Sequence, residues 1–425
     1  MAFATDAPKD GFRLSMLIYD TRYRSYTIQI VVLVLFAMAV AWLLNNTAQN
    51  LAARGKEFNF GFLWQRAGYD IGQQLIPYTN DSTHFRALLV GLINTLVVAF
   101  FGCIFATVLG VLIGVLRLSK NWLVSRLMTV YVEMFRNVPL LLWILLSYVI
   151  LSETTFQPRD FRLTDEMVAA GQAPLASMMF FDSVAVTNRG TNIPSPLFER
   201  GLGTLDLGFI SLNLTFWAVI AVIVGSVWVN RRILASARVT QEATGIRPVT
   251  WWKSILVLFA PVIALLVAMG FHLEVPTLQG FNFQGGILVA HSFTAMVIAL
   301  TLYTAAFIAE IVRAGIQAIS RGQSEAAFAL GLRPGRTMSL IVLPQALRVI
   351  IPPLISQYLN LTKNTSLGIA VSYLDLRGTL GGITLNQTGR ELECMLLMML
   401  IYLTISLTIS TLMNMYNKSV QLKAR

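Results

Sequence analysis

Charged side chains inside the apolar stretches of this sequence define the first candidate site. Two Glu-x-x-Arg pairs, Glu133/Arg136 and Glu310/Arg313, place opposite charges on one face of a helix. A charge within a membrane is costly and usually faces a partner or a polar cavity. The pairs are therefore candidates for a solute path or for a hinge that changes partners. The alternative is that each is a self-neutralised pair near the lipid headgroups.

A second polar interruption runs from Lys363 to Gly368, directly after an apolar run. Helices broken by polar residues are a common way to hold a polar solute within a membrane protein. The Lys363 ammonium is suited to a carboxylate, with Asn364, Thr365 and Ser366 as neighbouring polar contacts. The alternative is an interfacial lysine that extends toward the headgroups.

Patterns of independent catalysis are missing from the sequence. It has no His-Glu-x-x-His, no Cys-x-x-Cys and no Gly-x-x-x-x-Gly-Lys-Ser/Thr motif. We therefore expect no metal site, no catalytic residue and no ATP hydrolysis by a P-loop of this chain. Cys103 and Cys394 lie in or beside apolar runs, which predicts free thiols.

The segment Glu325–Pro344 reads as a short polar helix between two long apolar runs. Ser320 and Gln323 have the spacing of a capping box, which predicts a helix start at Ser320. Gly331 can adopt the left-handed conformation that ends a helix, and the proline three residues later prevents its continuation. Ala326, Ala327 and Ala329 would allow another surface to approach closely.

Composition places these sites in a membrane protein. The 425 residues are 56% hydrophobic and 12% charged, whereas soluble domains carry about 25% charged residues. Eight apolar runs approach the roughly 20 residues that span a bilayer. They are Ile28–Asn46, Leu88–Leu116, Met128–Leu151, Leu212–Val229, Ser254–His272, Ile287–Ile316, Met338–Leu361 and Met395–Met413. The first is expected to be an uncleaved span, with cleavage near Ala52-Ala53 as the alternative.

The distribution of charge predicts the orientation of these spans. With the N-terminus inside, 18 of the 32 Lys and Arg residues lie in inner segments and 11 in outer ones, although the outer segments are longer. Basic residues accumulate on the cytoplasmic side of membrane proteins. Both termini and Glu325 are therefore predicted to be cytoplasmic, and the net charge of +11 requires no nucleic acid.

The family resemblance described below implies that the chain has four regions. Residues 1–86 comprise a cytoplasmic segment, a first span and an outer loop, and residues 87–151 form the first part of a core. Residues 152–286 are an insertion with a periplasmic segment and two spans. Residues 287–425 complete the core and carry the cytoplasmic loop.

The loop resembles the signature of the membrane subunits of ATP-binding-cassette importers: Glu-Ala-Ala, three residues, Gly, nine residues, Ile, one residue, Leu-Pro. The matching residues are Glu325, Ala326, Ala327, Gly331, Ile341, Leu343 and Pro344. Tyr131–Leu141, Ala306–Gln317 and Asn364–Leu367 are similar to polar amino-acid uptake permeases. Within that family, the extra span and the insertion resemble the general L-amino-acid permeases of Gram-negative bacteria.

This resemblance implies an all-α polytopic fold with about eight transmembrane helices: the five-helix core of type I importers, an extra N-terminal helix and a two-helix insertion. It also implies an inner-membrane permease subunit that imports L-amino acids and is not itself an enzyme. Its partners would be a second, different permease chain, two ATPase subunits that bind ATP and Mg, and a periplasmic amino-acid-binding protein.

An ion-gradient-driven secondary transporter is the alternative function, because it would have similar broken helices and buried charges. The loop at Glu325 separates the two classes, since a secondary transporter has no ATPase to contact. The sequence leaves open which amino acids are carried, which permease subunit binds them and what residues 152–211 do.

Overall fold

A computed structural model describes residues 18, 21–53, 55, 58–163, 167, 169, 171–206 and 211–420. The chain divides into two units, residues 1–62 and residues 63–425. In the first unit, helix α1 (Thr21–Ala53) contains a 25-residue apolar window, Tyr23–Thr47. It confirms a first helix of spanning length, which ends at Ala53. Most of the predicted N-terminal cytoplasmic segment, residues 1–17 and 19–20, lies outside the described residues.

The second unit is built around helix α7 (His291–Gln317), which contacts α2 (His84–Leu116), α3 (Trp122–Asn137) and α4 (Leu140–Glu153). Its most apolar window is 61% buried, against 33% for that of α2. Burial on several sides requires small residues on several sides, and the alanines of α7 supply them. The predicted run Ile287–Ile316 is therefore the centre of the core, although its first three residues form a strand.

Glycines of α2 allow its close approach to α7. A Cβ added at Gly110 would lie 2.6 Å from Cβ of Ile308, and one at Gly114 would lie 2.7 Å from the carbonyl oxygen of Ala309. These distances leave no room for a side chain. Small residues at such positions allow membrane helices to pack closely.

Helices α3 and α4 meet at Pro139 with a bend of 105°. Proline lacks the N–H that would continue the hydrogen-bond ladder, and its ring restricts the preceding residue. The predicted third span, Met128–Leu151, is thus a broken pair. In the part of the chain that the structure describes, seven helices have the length and composition of a span, or eight if this pair is one span. The all-α polytopic class is confirmed.

The insertion contains helices α5 (Leu214–Thr244) and α6 (Trp251–Ala268), which pack against each other. Every residue of α6 keeps part of its surface exposed. Helix α5 continues well beyond the predicted end at Val229, and α6 ends before the predicted His272, which lies in a strand. Gly270, with a φ of 63°, lies between α6 and that strand.

Short strands, which were not predicted from the sequence, precede and follow this helix pair along the chain. Their bounds are β1 Ala185–Thr187, β2 Gly190–Ile193, β3 Ser195–Phe198, β4 Thr204–Asp206, β5 Ser211–Asn213, β6 Phe271–Glu274, β7 Thr277–Gln279, β8 Asn282–Gln284 and β9 Ile287–Val289. They form antiparallel sheets in the order β1-β2-β9, β3-β6, β4-β5 and β7-β8. Residues before and after the helix pair thus form one lobe, which we call the insertion lobe (the described residues among 152–213 and 269–290). Since β9 pairs with β2, the lobe crosses the predicted boundary at residue 286.

The remaining elements follow α7. Helix α8 (Arg321–Ala329) and helix α9 (Pro334–Thr337) lead through a π turn (Met338–Val342) into α10 (Leu343–Asn364). A 3₁₀ segment (Thr365–Val371), a π segment (Arg377–Thr384) and helix α11 (Leu385–Thr388) precede the last helix, α12 (Glu391–Val420). The predicted spans Met338–Leu361 and Met395–Met413 are confirmed as helical.

Candidate functional site: a coupling segment and a polar break

Helix α8 starts where the sequence predicts. Ser320 is its N-cap, and the Gln323 amide donates to the Ser320 carbonyl over 3.1 Å. The Ser320 side chain makes no capping hydrogen bond, so the predicted capping box is not formed. The start is fixed by the backbone turn and by the extended conformation of Ser320.

The C-terminus of α8 closes in a Schellman motif. Gly331 has a φ of 77°, its amide donates to Phe328 over 2.9 Å, and the Leu332 amide donates to Ala327 over 3.1 Å. This pair of hydrogen bonds requires a left-handed residue at Gly331, which glycine adopts without steric cost. The prediction that Gly331 ends the helix is confirmed.

The two sides of α8 differ in exposure. Ala327 is buried, whereas Glu325, Ala326 and Ala329 are exposed. Of the three alanines predicted to allow a close approach, Ala326 and Ala329 are therefore accessible to another surface and Ala327 is not, and α8 packs against the chain's own π turn and α9. Large apolar side chains that the sequence analysis did not select are also exposed here, namely Phe328 and Leu330.

A π turn connects this helix to α10. The Leu343 amide donates to Met338, five residues back, and the next residue, Pro344, has no N–H to donate. A wider turn at this point absorbs the missing donor. The side chain of Gln345 donates to that of Gln323 over 3.4 Å, which ties α10 to α8. Of the remaining predicted loop residues, Leu343 is exposed and Ile341 is half-buried.

Glu310 and Arg313 form an ion pair of 2.5 Å, as the spacing predicted. A third group, Arg117 at the end of α2, also binds the Glu310 carboxylate. Arg313 in addition donates to Gln317 over 2.8 Å. The cluster therefore joins the C-terminal end of α2 to the C-terminal third of α7. Arg117 directly follows the predicted span Leu88–Leu116, and a contact 193 residues away in sequence leaves no local pattern.

Glu133 and Arg136 have different partners. Asn137 donates to Glu133 over 3.3 Å, and the Arg136 guanidinium lies 5.4 Å from the ring centre of Phe307. Both charged side chains are exposed. In the described residues neither the hydrogen bonds nor the ion pairs join these two side chains, so a self-neutralised pair is not formed here.

The polar break begins at the end of α10. Lys363 is exposed and Thr365 is fully buried, with its hydroxyl donating to Thr362 over 2.9 Å. Asn364 and Ser366 are half-buried. Of the four predicted polar residues, Thr365 therefore uses its hydroxyl within the chain, and Lys363 presents its ammonium outward.

Side chains from α2 hold the irregular backbone that follows. Asn94 donates to the carbonyls of Leu374 (2.9 Å) and Gln73 (2.8 Å), and Thr95 accepts from the amide of Leu376 (3.0 Å). Asn94 and Thr95 are nearly fully buried. Buried backbone outside a helix needs such partners. Two adjacent polar residues within an apolar run were a sequence signal for this role.

Asp375 lies at the centre of this region and was not selected from the sequence. It is fully buried, and its carboxylate accepts from the Gly378 amide (2.8 Å) and the Tyr402 hydroxyl (3.2 Å). Burial raises the pKa of Asp375 to about 6, and these donors oppose the shift. The carboxylate thus links the break to α12.

A groove of about 810 Å³ lies along α2, α10 and α12. Its lining is apolar except for a few hydroxyl groups. The hydroxyl groups of Thr107 and Tyr358 form a 2.6 Å hydrogen bond to each other. Such a lining does not match a charged solute. Among the described residues, no group of three or more His, Cys, Asp or Glu side chains could hold a metal ion.

Comparisons with known proteins agree with the loop signature. Residues 248–422 match the family model of the binding-protein-dependent transport system inner membrane component. The chain is 71% identical to the glutamate/glutamine/aspartate/asparagine transport system permease protein BztB of Rhodobacter capsulatus, over all of both chains. It is 42% identical to the general L-amino acid transport system permease protein AapQ of Rhizobium johnstonii, over 98% of this chain and 96% of that one.

One relative is shorter than this chain and matches only about half of it. The glutamate/aspartate import permease protein GltK of Escherichia coli is 36% identical over 215 residues, which are 49% of this chain and 90% of GltK. About half of the present chain therefore corresponds to nearly the whole length of GltK, and the other half has no counterpart in this match.

Proposed function

Because the chain belongs to the permeases of amino-acid ATP-binding-cassette importers and is a multi-pass membrane subunit, we propose that α8 couples it to a separate ATPase. The main support for this proposal is that α8 is a short, exposed helix. Its C-terminal end is fixed by Gly331, and Ala326, Phe328 and Ala329 are exposed on its outer side. Such a helix can fit into a groove on a partner with little reorganisation. The names of BztB, AapQ and GltK do not support the alternative of an ion-driven transporter.

The attachment of α8 explains how movement would spread. Only three residues separate its start from Gln317 at the end of α7, and the hydrogen bond between Gln323 and Gln345 joins it to α10. Helix α10 has 22 residues, which is about 33 Å at 1.5 Å per residue. A shift of α8 would therefore be transmitted along α10 toward Lys363, while Arg117 and Glu310 keep α2 and α7 together.

The partners in this proposal are a second, different permease chain, two ATPase subunits that carry ATP and Mg, and a periplasmic binding protein. This chain itself would bind no cofactor and catalyse no bond chemistry. Both termini would be cytoplasmic, on the charge distribution. Cysteines placed at Ser236 and Ser183 test that orientation, since an impermeant thiol reagent added outside should label only the latter.

The proposed solutes are L-amino acids, with acidic amino acids and their amides among them. The names of BztB and GltK support this choice. Lys363 is the proposed contact for the carboxylate shared by all amino acids, with Asn364 and Ser366 beside it. We assign Glu310 and Arg313, with Arg117, to anchoring the helices, and Glu133 and Arg136 stay candidates for the path.

The test is uptake of radiolabelled L-glutamate and L-glutamine into proteoliposomes that contain the complete complex. Uptake should require ATP on the ATPase side and binding protein on the other side. It should persist when ionophores remove the ion gradients. Uptake driven by a gradient without ATP would contradict the proposal and favour the secondary transporter.

A further inference from the structure

The insertion lobe carries a hairpin tip, Met179–Val184, with an unusual backbone. Phe180, Phe181 and Asp182 have φ values of 51°, 58° and 55°. They are three of the four non-glycine residues with positive φ in the described part of the chain. The tip is closed by hydrogen bonds from Met179 to Val184 (2.8 Å) and from Val184 to Met179 (3.1 Å). The left-handed turn is thus held at its base.

This conformation costs free energy. A left-handed residue with a Cβ costs about 1–2 kcal/mol, and bulky residues rarely adopt it. Strain of this kind persists where the surrounding structure holds it, often at functional sites. Its consequence here is geometric, because it directs two adjacent phenylalanine side chains away from the lobe.

Both rings are exposed. The relative exposure of Phe181 is 105% and that of Phe180 is 75%, and Leu175 and Met179 are exposed as well. A pair of rings can bury roughly 300–500 Å² on a partner. That area is too small for a permanent assembly and is sufficient as the anchor of a contact that forms and breaks.

Charge indicates what kind of surface this tip contacts. Between Arg162 and Arg189 the sequence contains three acids and no lysine or arginine. Segments that bind a bilayer surface are rich in Lys and Arg, which is the opposite composition. A lipid surface also imposes no fixed ring orientation that would justify the strained turn. A protein pocket with a basic rim satisfies both observations.

We propose that the tip is an aromatic anchor for the soluble solute-binding protein, with Phe181 entering an apolar pocket on it and Asp182 facing a basic rim. This inference rests on the proposed function, which places a binding protein on the same side of the membrane as the insertion lobe. The insertion lobe would thus have a role in docking the binding protein, and shorter permeases would dock theirs without such a lobe.

The test measures docking of the purified binding protein to the complete complex in lipid nanodiscs. Phe181→Ser should weaken docking about ten- to thirtyfold and should raise by the same factor the binding-protein concentration that half-maximally stimulates ATP hydrolysis. The matched control is Phe281→Ser. Phe281 is a comparably exposed phenylalanine at another turn of the same lobe, with a ring near Arg162 and without positive φ. This control should dock as the unaltered complex does.

A second pair of variants separates ring presentation from charge. Asp182→Asn and Asp182→Val both remove the carboxylate, but asparagine tolerates a φ of 55° and a β-branched residue does not. Asp182→Val should therefore weaken docking several-fold more than Asp182→Asn, although both phenylalanines remain. Equal docking of these two variants would contradict the proposed role of the turn.

Any one of three results for Phe181→Ser would contradict the proposal that the tip anchors the binding protein. The variant could dock the binding protein as the unaltered complex does, it could lose its second permease chain, or it could lose only its affinity for protein-free vesicles. An unaltered complex that no binding protein stimulates would refute the proposed function itself, which distinguishes that failure from failure of the anchor.

Discussion

The coupling segment (residues 320–344) and the polar break (residues 363–384) lie at opposite ends of α10, and they differ in how they are stabilised. Helix α8 is short, exposed and fixed mainly by its own ends. The break has an irregular backbone whose polar groups are bound by buried side chains of α2, and its buried carboxylate at Asp375 accepts from Tyr402 of α12. The first is suited to contact another protein, and the second is completed within the chain. Substitutions should therefore alter coupling at one end and stability at the other.

The largest effect is expected at Asp375. Asp375→Ala leaves the Gly378 amide and the Tyr402 hydroxyl without their acceptor, which should destabilise the complex by about 3 kcal/mol. Asp375→Asn retains an acceptor oxygen and should cost less than about 1 kcal/mol. Thermal unfolding of the purified complex checks both. Equal stability of the alanine variant would mean that the carboxylate does not hold the break.

The same carboxylate predicts a pH dependence. Because the pKa of Asp375 is about 6 when folded against a reference value of 3.8, protonation favours the folded state. Its stabilising contribution is complete below about pH 4 and is lost as the pH rises through 6, a change of up to about 3 kcal/mol. The melting temperature of the unaltered complex should thus fall more steeply from pH 5 to pH 7 than that of Asp375→Asn. Parallel curves would contradict this assignment.

At the other end, Gly331→Val should uncouple transport without unfolding the membrane domain. Valine at a φ of 77° raises the free energy of this backbone conformation by about 1–3 kcal/mol. A change in the orientation of α8 would relieve that strain. The matched control is Gly335→Val, since Gly335 has neither positive φ nor an atom within 4 Å of an added Cβ. ATPase co-purification and stimulated hydrolysis should fail together only in the Gly331 variant, while the permease level is retained in both variants. Normal uptake in that variant would remove α8 from the mechanism.

The smallest effect is expected at Lys363. A charge-assisted contact contributes about 1.5–3 kcal/mol, and the exposure of Lys363 favours the lower value. Lys363→Ala should lower the apparent affinity for amino acid about tenfold at equal complex levels, while Lys363→Arg, which keeps the charge, retains most uptake. Unchanged uptake at limiting solute would identify an interfacial lysine.

The sequence was sufficient where the determinant is local. The apolar runs predicted the spans, and Gly331 predicted the end of α8. It was insufficient where two distant segments meet, as for Arg117 with Glu310 or Asn94 with the backbone at Leu374. The strands of the insertion lobe were missed because each has only three or four residues, which is too short for an alternating pattern to be recognised.

The most direct test of the central claim is site-specific cross-linking of α8 to the ATPase. Single cysteines replace Ala326, Ala329 or Ala327 in a variant without Cys103 and Cys394, each paired with cysteines lining the ATPase groove. The exposed positions 326 and 329 should cross-link, and cross-linking should change with bound nucleotide, whereas the buried position 327 should stay unlinked. Equal cross-linking at all three positions, or at none, would contradict docking of this helix on the ATPase.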